Sequence, residues 1–369
     1  MRPYPGGPAE PEHAPVCLDS LVATLQTAPQ ESTERRAQAI EQLDRWLARG
    51  YEPPQSAGEE ARLIIAARWM LNGRPDHPVI AVWAARSLQV LRAMDDEPMA
   101  VLLASFKFEH LVRAGELGEA GRLVAEMWDR TATNPGARLA WLPSAALFLW
   151  LSGRADAALA ALQPALDDPR VAPELRYALL EQAASAALAR SDAEGCLGYL
   201  DRAGPLERAL SAQDLAHLWF LRAGAAAISG DPQRADEAIG RCDEYARDVD
   251  AHFFKALWRL GEALVRLKAG HARRAERDLS DLLGDVVVMR ARYLEWSVRL
   301  ARAAARLALE RHPAAEADLA AALRIAAHSG YVNCDPWGVT PRLRTLLQYA
   351  SDRGIEARSA RLILAQHGA

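Results

Sequence analysis

Lysine is nearly missing from this chain: of 44 basic residues only Lys107, Lys255 and Lys268 are lysines. None of them follows a glycine, so the G-x-x-x-x-G-K-[ST] loop that cradles nucleotide phosphates is excluded. Cysteine is scarce as well. Cys17, Cys196, Cys242 and Cys334 stand far apart with no C-x-x-C pair, a pattern that suits a reducing cytoplasm rather than a disulfide framework. Long apolar runs are absent. The most apolar, 139–151, spans 13 residues and contains Pro143, whereas a bilayer span needs roughly 20. It reads as a buried helix carrying Trp141, Phe148 and Trp150. Neither sign of charge is in excess, since the net charge is −4, and this gives no general attraction for nucleic acid.

The constellations of catalysis are missing too. There is no H-E-x-x-H, G-x-S-x-G or G-x-G-x-x-G, and the nine histidines are dispersed without an i,i+4 pair. Asp95-Asp96-Glu97 lies just before a helical stretch, where it caps a first turn. His110, His217 and His252 fall inside helical stretches, where packing or a satisfied hydrogen bond explains them. The expectation is a cytoplasmic, non-catalytic protein with no cofactor and no metal, binding neither nucleic acid nor membrane.

Alanine and leucine dominate what remains, and β-branched residues are sparse outside runs such as Val286-Val287-Val288, so helix is favoured throughout. One phrase recurs: an apolar helix end, a breaker, then a small residue five positions on. It reads Gly115…Ala120, Gly153…Ala158, Gly230…Ala235 and Gly270…Ala275, with degenerate copies Ser191…Cys196 and Glu310…Ala315. The breakers are spaced by 38, 38, 39, 40 and 40 residues. Seven before the breaker stands Ala146, Ala184, Ala223, Ala263 or Ala303, with Phe108 in the first copy. Glycine supplies the positive φ that ends a helix, and small residues let two antiparallel helices pack closely. The prediction is an all-α solenoid, a superhelix of stacked antiparallel helical hairpins.

Capping patterns place further helix starts at Ser56…Glu59, Ser211…Asp214, Asp231-Pro232 and Thr340-Pro341. Residues 31–49, 57–72 and 77–93 are helical in period. The expected division is a flexible proline-rich arm at 1–15, N-terminal helices at 16–95 that are degenerate repeats or a cap, six repeats at 96–329, and capping helices at 330–369. Met1 and the arm read as a natural start. In an extended solenoid the two ends stay apart, so Cys17 and Cys334 are not expected to meet.

The small residue, the glycine and the later alanine are similar to the tetratricopeptide-repeat (TPR) pattern. The family's large residue near the start of the first helix is clear only in Trp219, and the period exceeds the usual 34. The longer unit resembles repeats in the sensor region of MalT-like (LuxR/STAND-type) bacterial transcription regulators. Gly330-Tyr331-Val332, Pro336-Trp337, Leu343, Leu346, Ala350 and Gly354-Ile355-Glu356 with Leu362-Ile363 resemble the segment that closes their array. The ATPase module of those regulators has no counterpart here, and only Ala365 to Ala369 follow the cap, which leaves no room for a DNA-binding module.

Lys255, Arg259, Glu262 and Arg266 stand at −15, −11, −8 and −4 from breaker 270, and Glu295, Arg299, Arg302 and Arg306 at the same offsets from breaker 310. Equivalent positions stack in adjacent units, so these form one mainly basic ladder. It is either a solvated face laced with i,i+4 pairs or the wall of a groove for an acidic peptide or anionic ligand. Trp219, Trp258 and Trp296 recur in successive units at helical spacing, which reads mostly as core; those that face the concave side, with Arg222 beside Trp219, complete the candidate binding set. Two functions follow. One is a regulatory or scaffolding protein whose concave surface binds a peptide or protein segment. The other, implied by the MalT-like resemblance, is a small-molecule sensor that signals to a separate effector. The first needs a long open groove, the second an enclosed pocket.

Overall fold

A computed structural model describes residues 18–27, 33–48, 54, 56–333, 337 and 341–366. The proline-rich arm, Cys17, Cys334, Pro336, Gly338 and the Thr340 cap lie outside them. Among the described residues there is no strand, and helices follow one another throughout. Five helices come first: α1 (Leu18–Thr27), α2 (Thr33–Ala48), α3 (Ala57–Ala66), α4 (Met70–Gly73) and α5 (Pro78–Arg92). Six helical pairs follow. They are α6 (Glu97–Ala114) with α7 (Leu117–Arg130), α8 (Pro135–Leu151) with α9 (Ala155–Asp167), and α10 (Pro173–Ala189) with α11 (Ala193–Ala203). Then come α12 (Ala212–Ser229) with α13 (Pro232–Ala246), α14 (His252–Lys268) with α15 (Ala272–Val288), and α16 (Arg292–Ala308) with α17 (His312–Ser329). Two closing helices, α18 (Pro341–Asp352) and α19 (Ala357–Gln366), pack on each other and on α16 and α17.

Every breaker of the repeat sits at a turn with positive φ. Gly115, Gly153, Gly230 and Gly270 lie between 80° and 88°, and Ser191 and Glu310 hold the same conformation at 60° and 58°. The small residues on either side do the packing expected of them. Ala146, Ala184, Ala223, Ala263 and Ala303 on the first helix of each pair are at most 1% exposed, as are Ala120, Ala158, Cys196, Ala235, Ala275 and Ala315 on the second. The caps form as well. Asp96 accepts from the Met99 N–H, Ser56 from Glu59, and Asp231 from Arg234, while Ser211 and Asp214 make a reciprocal capping box.

Two features depart from the expectation. Residues 57–72 are two helices, not one, because i→i+3 bonds at Arg68, Met70 and Leu71 tighten the chain after Ala66. That bend carries the Trp69 indole onto the Leu25 carbonyl at 3.1 Å and Arg68 onto Glu109 at 2.6 Å.

The second departure concerns shape. The first helices of the pairs form an inner layer, and winding brings early and late helices together: α4 meets α14, and α6 meets α16. Arg113 stacks 4.0 Å over the Phe253 ring, and Arg36 lies 3.6 Å from Asp250. Successive inner helices, rich in alanine, pack on one another, and the array curves until its early and late units touch. The open, extended solenoid of the sequence reading is therefore corrected to a tightly wound one.

Candidate functional site

The ladder exists, but it faces protein. Arg302 forms a fork on Asp318 of α17 at 2.7 and 2.8 Å, Arg306 reaches the same carboxylate at 2.8 Å, and Arg299 lies 3.6 Å from it. Asp318 is 3% exposed in its side chain and Arg302 12%. Arg306 also meets Glu276 of α15 at 3.2 Å, Arg266 pairs with Glu262 and with Asp278 at 2.8 Å, and Arg259 with Asp285 at 2.6 Å. Glu295, itself buried, is held between Arg299 at 2.9 Å and Arg292 at 2.7 Å. Lys255 turns away to the Arg247 carbonyl. The bidentate arginine chemistry expected for an acidic partner is spent on acidic groups of the outer helices. A buried network of this kind staples inner to outer helices, and removing one member leaves charges unpaired. The sequence did hold the signal, since Asp278 and Asp318 both stand eight residues after their breakers.

The aromatic candidates divide. Trp219 is half-buried on the surface, with Arg222 and Arg241 each 5.5 Å from its ring, and Arg222 also meets Asp201 at 3.0 Å. Trp258 and Trp296 are buried in the core, the first of the two readings, so they are removed from the candidate binding face. Trp258 donates its indole N–H to His217 Nδ1 at 3.5 Å. That bond makes Nδ1 the acceptor, so the neutral ring carries its proton on Nε2, which points to Glu181 at 3.5 Å.

Glu181 belongs to a polar row on the inner layer that the sequence reading missed. Arg68, Glu109 and Arg113 stand at one end, and Glu181, Gln182 and His217 at the other. The carboxyl of Glu181 is pushed up to about 8, first by burial and then by the negative charges of Asp214 and Glu109. Burial brings His217 down to about 4, so both groups are neutral near pH 7. Burial also works against Glu109, but the Arg68 and Arg113 guanidiniums outweigh it and hold that carboxylate below its usual range. Although deep in the fold, the side chains of Glu109 and Glu181 each keep 23% of their surface open to water. These residues occupy different offsets from their breakers, so repetition gives no sign of them. The winding brings them together.

The inner layer also holds an extended piece of the chain. After α17, the Val332 and Asn333 N–H groups donate to the Leu151 carbonyl at 3.3 and 3.4 Å, and Asn333 Nδ2 donates to the Trp150 carbonyl. The Tyr331 hydroxyl, kept protonated by burial, donates to the Val112 carbonyl. Its ring stacks on Trp296 at 5.2 Å and 13°. Further on, Trp337 lies 5.4 Å from Phe220, over Gly224 and Gly261, where a Cβ would run into the indole.

Beside this segment, at the seam between α6 and α16–α17, a partly open cleft of about 420 Å³ is lined by Glu116, Arg292, Glu295, Arg324, His328 and Ser329, among others. Among the described residues no group of three His, Cys, Asp or Glu side chains could hold a metal ion, and no helix is long and apolar enough to cross a membrane. Cys196 and Cys242 are buried free thiols.

No family model matches the sequence, and no curated protein matches it. Among solved structures, the chain is similar to a Rap protein complexed with competence and sporulation factor, with a TM-score of 0.58. The superposition covers 95% of this chain and 97% of that one at 12% identity. The fold is that of a TPR-like helical repeat protein. At that identity the likeness speaks to architecture alone.

Proposed function

We propose that this protein is a non-catalytic, regulatory or scaffolding binding protein that takes a peptide or protein segment along its inner helical layer. The observation that carries the reading is the inner polar row, deep among the helices yet reachable by water at Glu109 and Glu181. Most of the ladder arginines are already paired within the protein, which favours a ligand other than the acidic one that their spacing suggests. Glu181, whose carboxyl is kept protonated by burial and by its acidic neighbours, suits a cationic group, which would favour its charged form. A second support is the Rap protein of similar fold, solved with a factor bound. The scattered thiols support a reducing, cytoplasmic setting for this function.

The test is a random-sequence peptide display selected on the full chain and re-measured on Glu181→Gln. Enriched peptides should carry lysine or arginine and lose at least tenfold in affinity on the variant. A selection that enriches nothing, or peptides indifferent to the substitution, would sink the reading.

The seam cleft favours a second reading, a small-molecule sensor akin to the sensor region of MalT-like regulators. Its volume falls within the range of ligand sites, although its charged lining suits a polar ligand. Thermal stabilisation by a metabolite, abolished by Arg324→Glu, would decide for it.

A further inference from the structure

The stretch Tyr331-Val332-Asn333 does for two inner helices what a cap does. The last carbonyls of a helix have no intrahelical donor: that of Leu151 at the end of α8 takes its donors from this stretch, and those of Val112 and Trp150, which already accept from the Gly115 and Gly153 N–H groups at 3.3 and 3.1 Å, take a second donor from it. The donors come from 219 and 183 residues away. They are a phenol hydroxyl, two backbone N–H groups and a carboxamide, carried on chain with no regular structure. The seat has an aromatic wall in Trp296 and Tyr293 on α16, 5.2 and 5.4 Å from the Tyr331 ring. Helix-end carbonyls plus an aromatic wall recognise an extended peptide through its main chain and one aromatic anchor.

The fit is incomplete. The Trp296 indole N–H and the Asn333 side-chain oxygen are both buried and have no hydrogen-bond partner among the described residues. Buried polar atoms left unsatisfied weaken the occupant that leaves them so. The approach is open, because the cleft at the seam is bordered by Ala114, Arg292 and Ser329, each within two residues of this seat.

We propose that this seat is a binding site for an extended peptide segment of a partner, with a tyrosine followed two residues later by an asparagine or glutamine, and that Tyr331-Val332-Asn333 is its intramolecular competitor. This rests on the peptide-binding reading above but uses a separate part of the inner layer, apart from Glu181. A ligand that also accepts from the Trp296 N–H would hold the seat better than the chain's own segment. Ligand binding and closure of the array then exclude each other.

The experiment uses the full chain and, as probe, a fluorescein-labelled synthetic peptide with the sequence of residues 328–338. In the Tyr331→Ala/Asn333→Ala double variant the seat is vacated, and the probe should bind at least tenfold more tightly than to the unmodified protein. The same probe with its tyrosine replaced by alanine should lose that gain. Equal affinity for both proteins, or no binding to a double variant of unchanged helicity by circular dichroism, overturns the proposal. Should the double variant fail to fold, Tyr331→Phe keeps the ring stack and removes only the bond to Val112. It should raise probe affinity severalfold, and no increase overturns the proposal equally. Probe binding that is unaffected by Glu181→Gln while display enriches nothing would leave this site standing and the cationic-ligand reading fallen.

Discussion

A carboxyl group beside a neutral imidazole, both deep in the inner layer, makes stability depend on pH in two directions. The folded chain keeps a proton on Glu181 up to about pH 8, whereas an unfolded glutamate releases it near 4.5. Stability from this group is full below 4.5 and is lost as the pH rises towards 8. His217 and His110 act oppositely. Each is brought down to about 4 from 6.5, by burial in both cases and also by Lys107 and Arg113 at His110, so their contribution is full above 6.5 and lost as the pH falls. Between pH 6.5 and 8 the contribution of Glu181 falls by about 1.5 kcal/mol. Denaturation by urea at several pH values should show this decline in the unmodified protein and a clearly shallower one in Glu181→Gln. An undiminished decline in the variant would assign the proton elsewhere. None of this was legible from the sequence, where Glu181 is one acidic residue in an alanine-rich helix.

At the scale of the element, the breaker positions were readable because a backbone constraint recurs with them. Six turns need positive φ, and four of them are glycine. Glu310 holds that conformation at a steric cost that glycine does not bear. Glu310→Gly should therefore raise the urea midpoint, by about 1 kcal/mol of stability; a lower midpoint would show that contacts of the glutamate hold the turn. The ladder was half readable. Spacing along α14 and α16 aligned the arginines correctly, but a one-helix pattern does not reveal what the neighbouring helix offers. Asp278 and Asp318 decide the outcome, and they lie on α15 and α17. The bend between α3 and α4 left no trace in the periodicity, because apolar residues continue through it and only the hydrogen bonding tightens.

The whole molecule differs from a simple stack in that its early and late units touch. A linear repeat array shares stability between neighbours only, and damage to one unit stays local. Here α6 packs on α16, so an injury to one should be felt by the other. Phe108 is fully buried on α6, and Phe108→Ala should cost about 3–5 kcal/mol. Amide hydrogen exchange should then accelerate in α16 as well as in α7 and α8. Acceleration confined to α7 and α8 would mean that closure contributes little. The helical-hairpin architecture was plain in the sequence, but its winding was not. Curvature builds up over many contacts between helices, and no single residue announces it.

Closure at the seam also has a consequence for how such a chain can change in length. An open solenoid tolerates a duplicated or deleted hairpin, since the new unit meets the same neighbours as the old. In this protein the Tyr331 hydroxyl must find Val112 across five intervening pairs of helices, and Asn333 must find Trp150 across four. Insertion of one more unit of 38–40 residues would carry the donors past their carbonyls by a whole step. The number of repeats is thus part of the fold, and lineages of this protein should vary by substitution and loop length while their hairpin count stays constant.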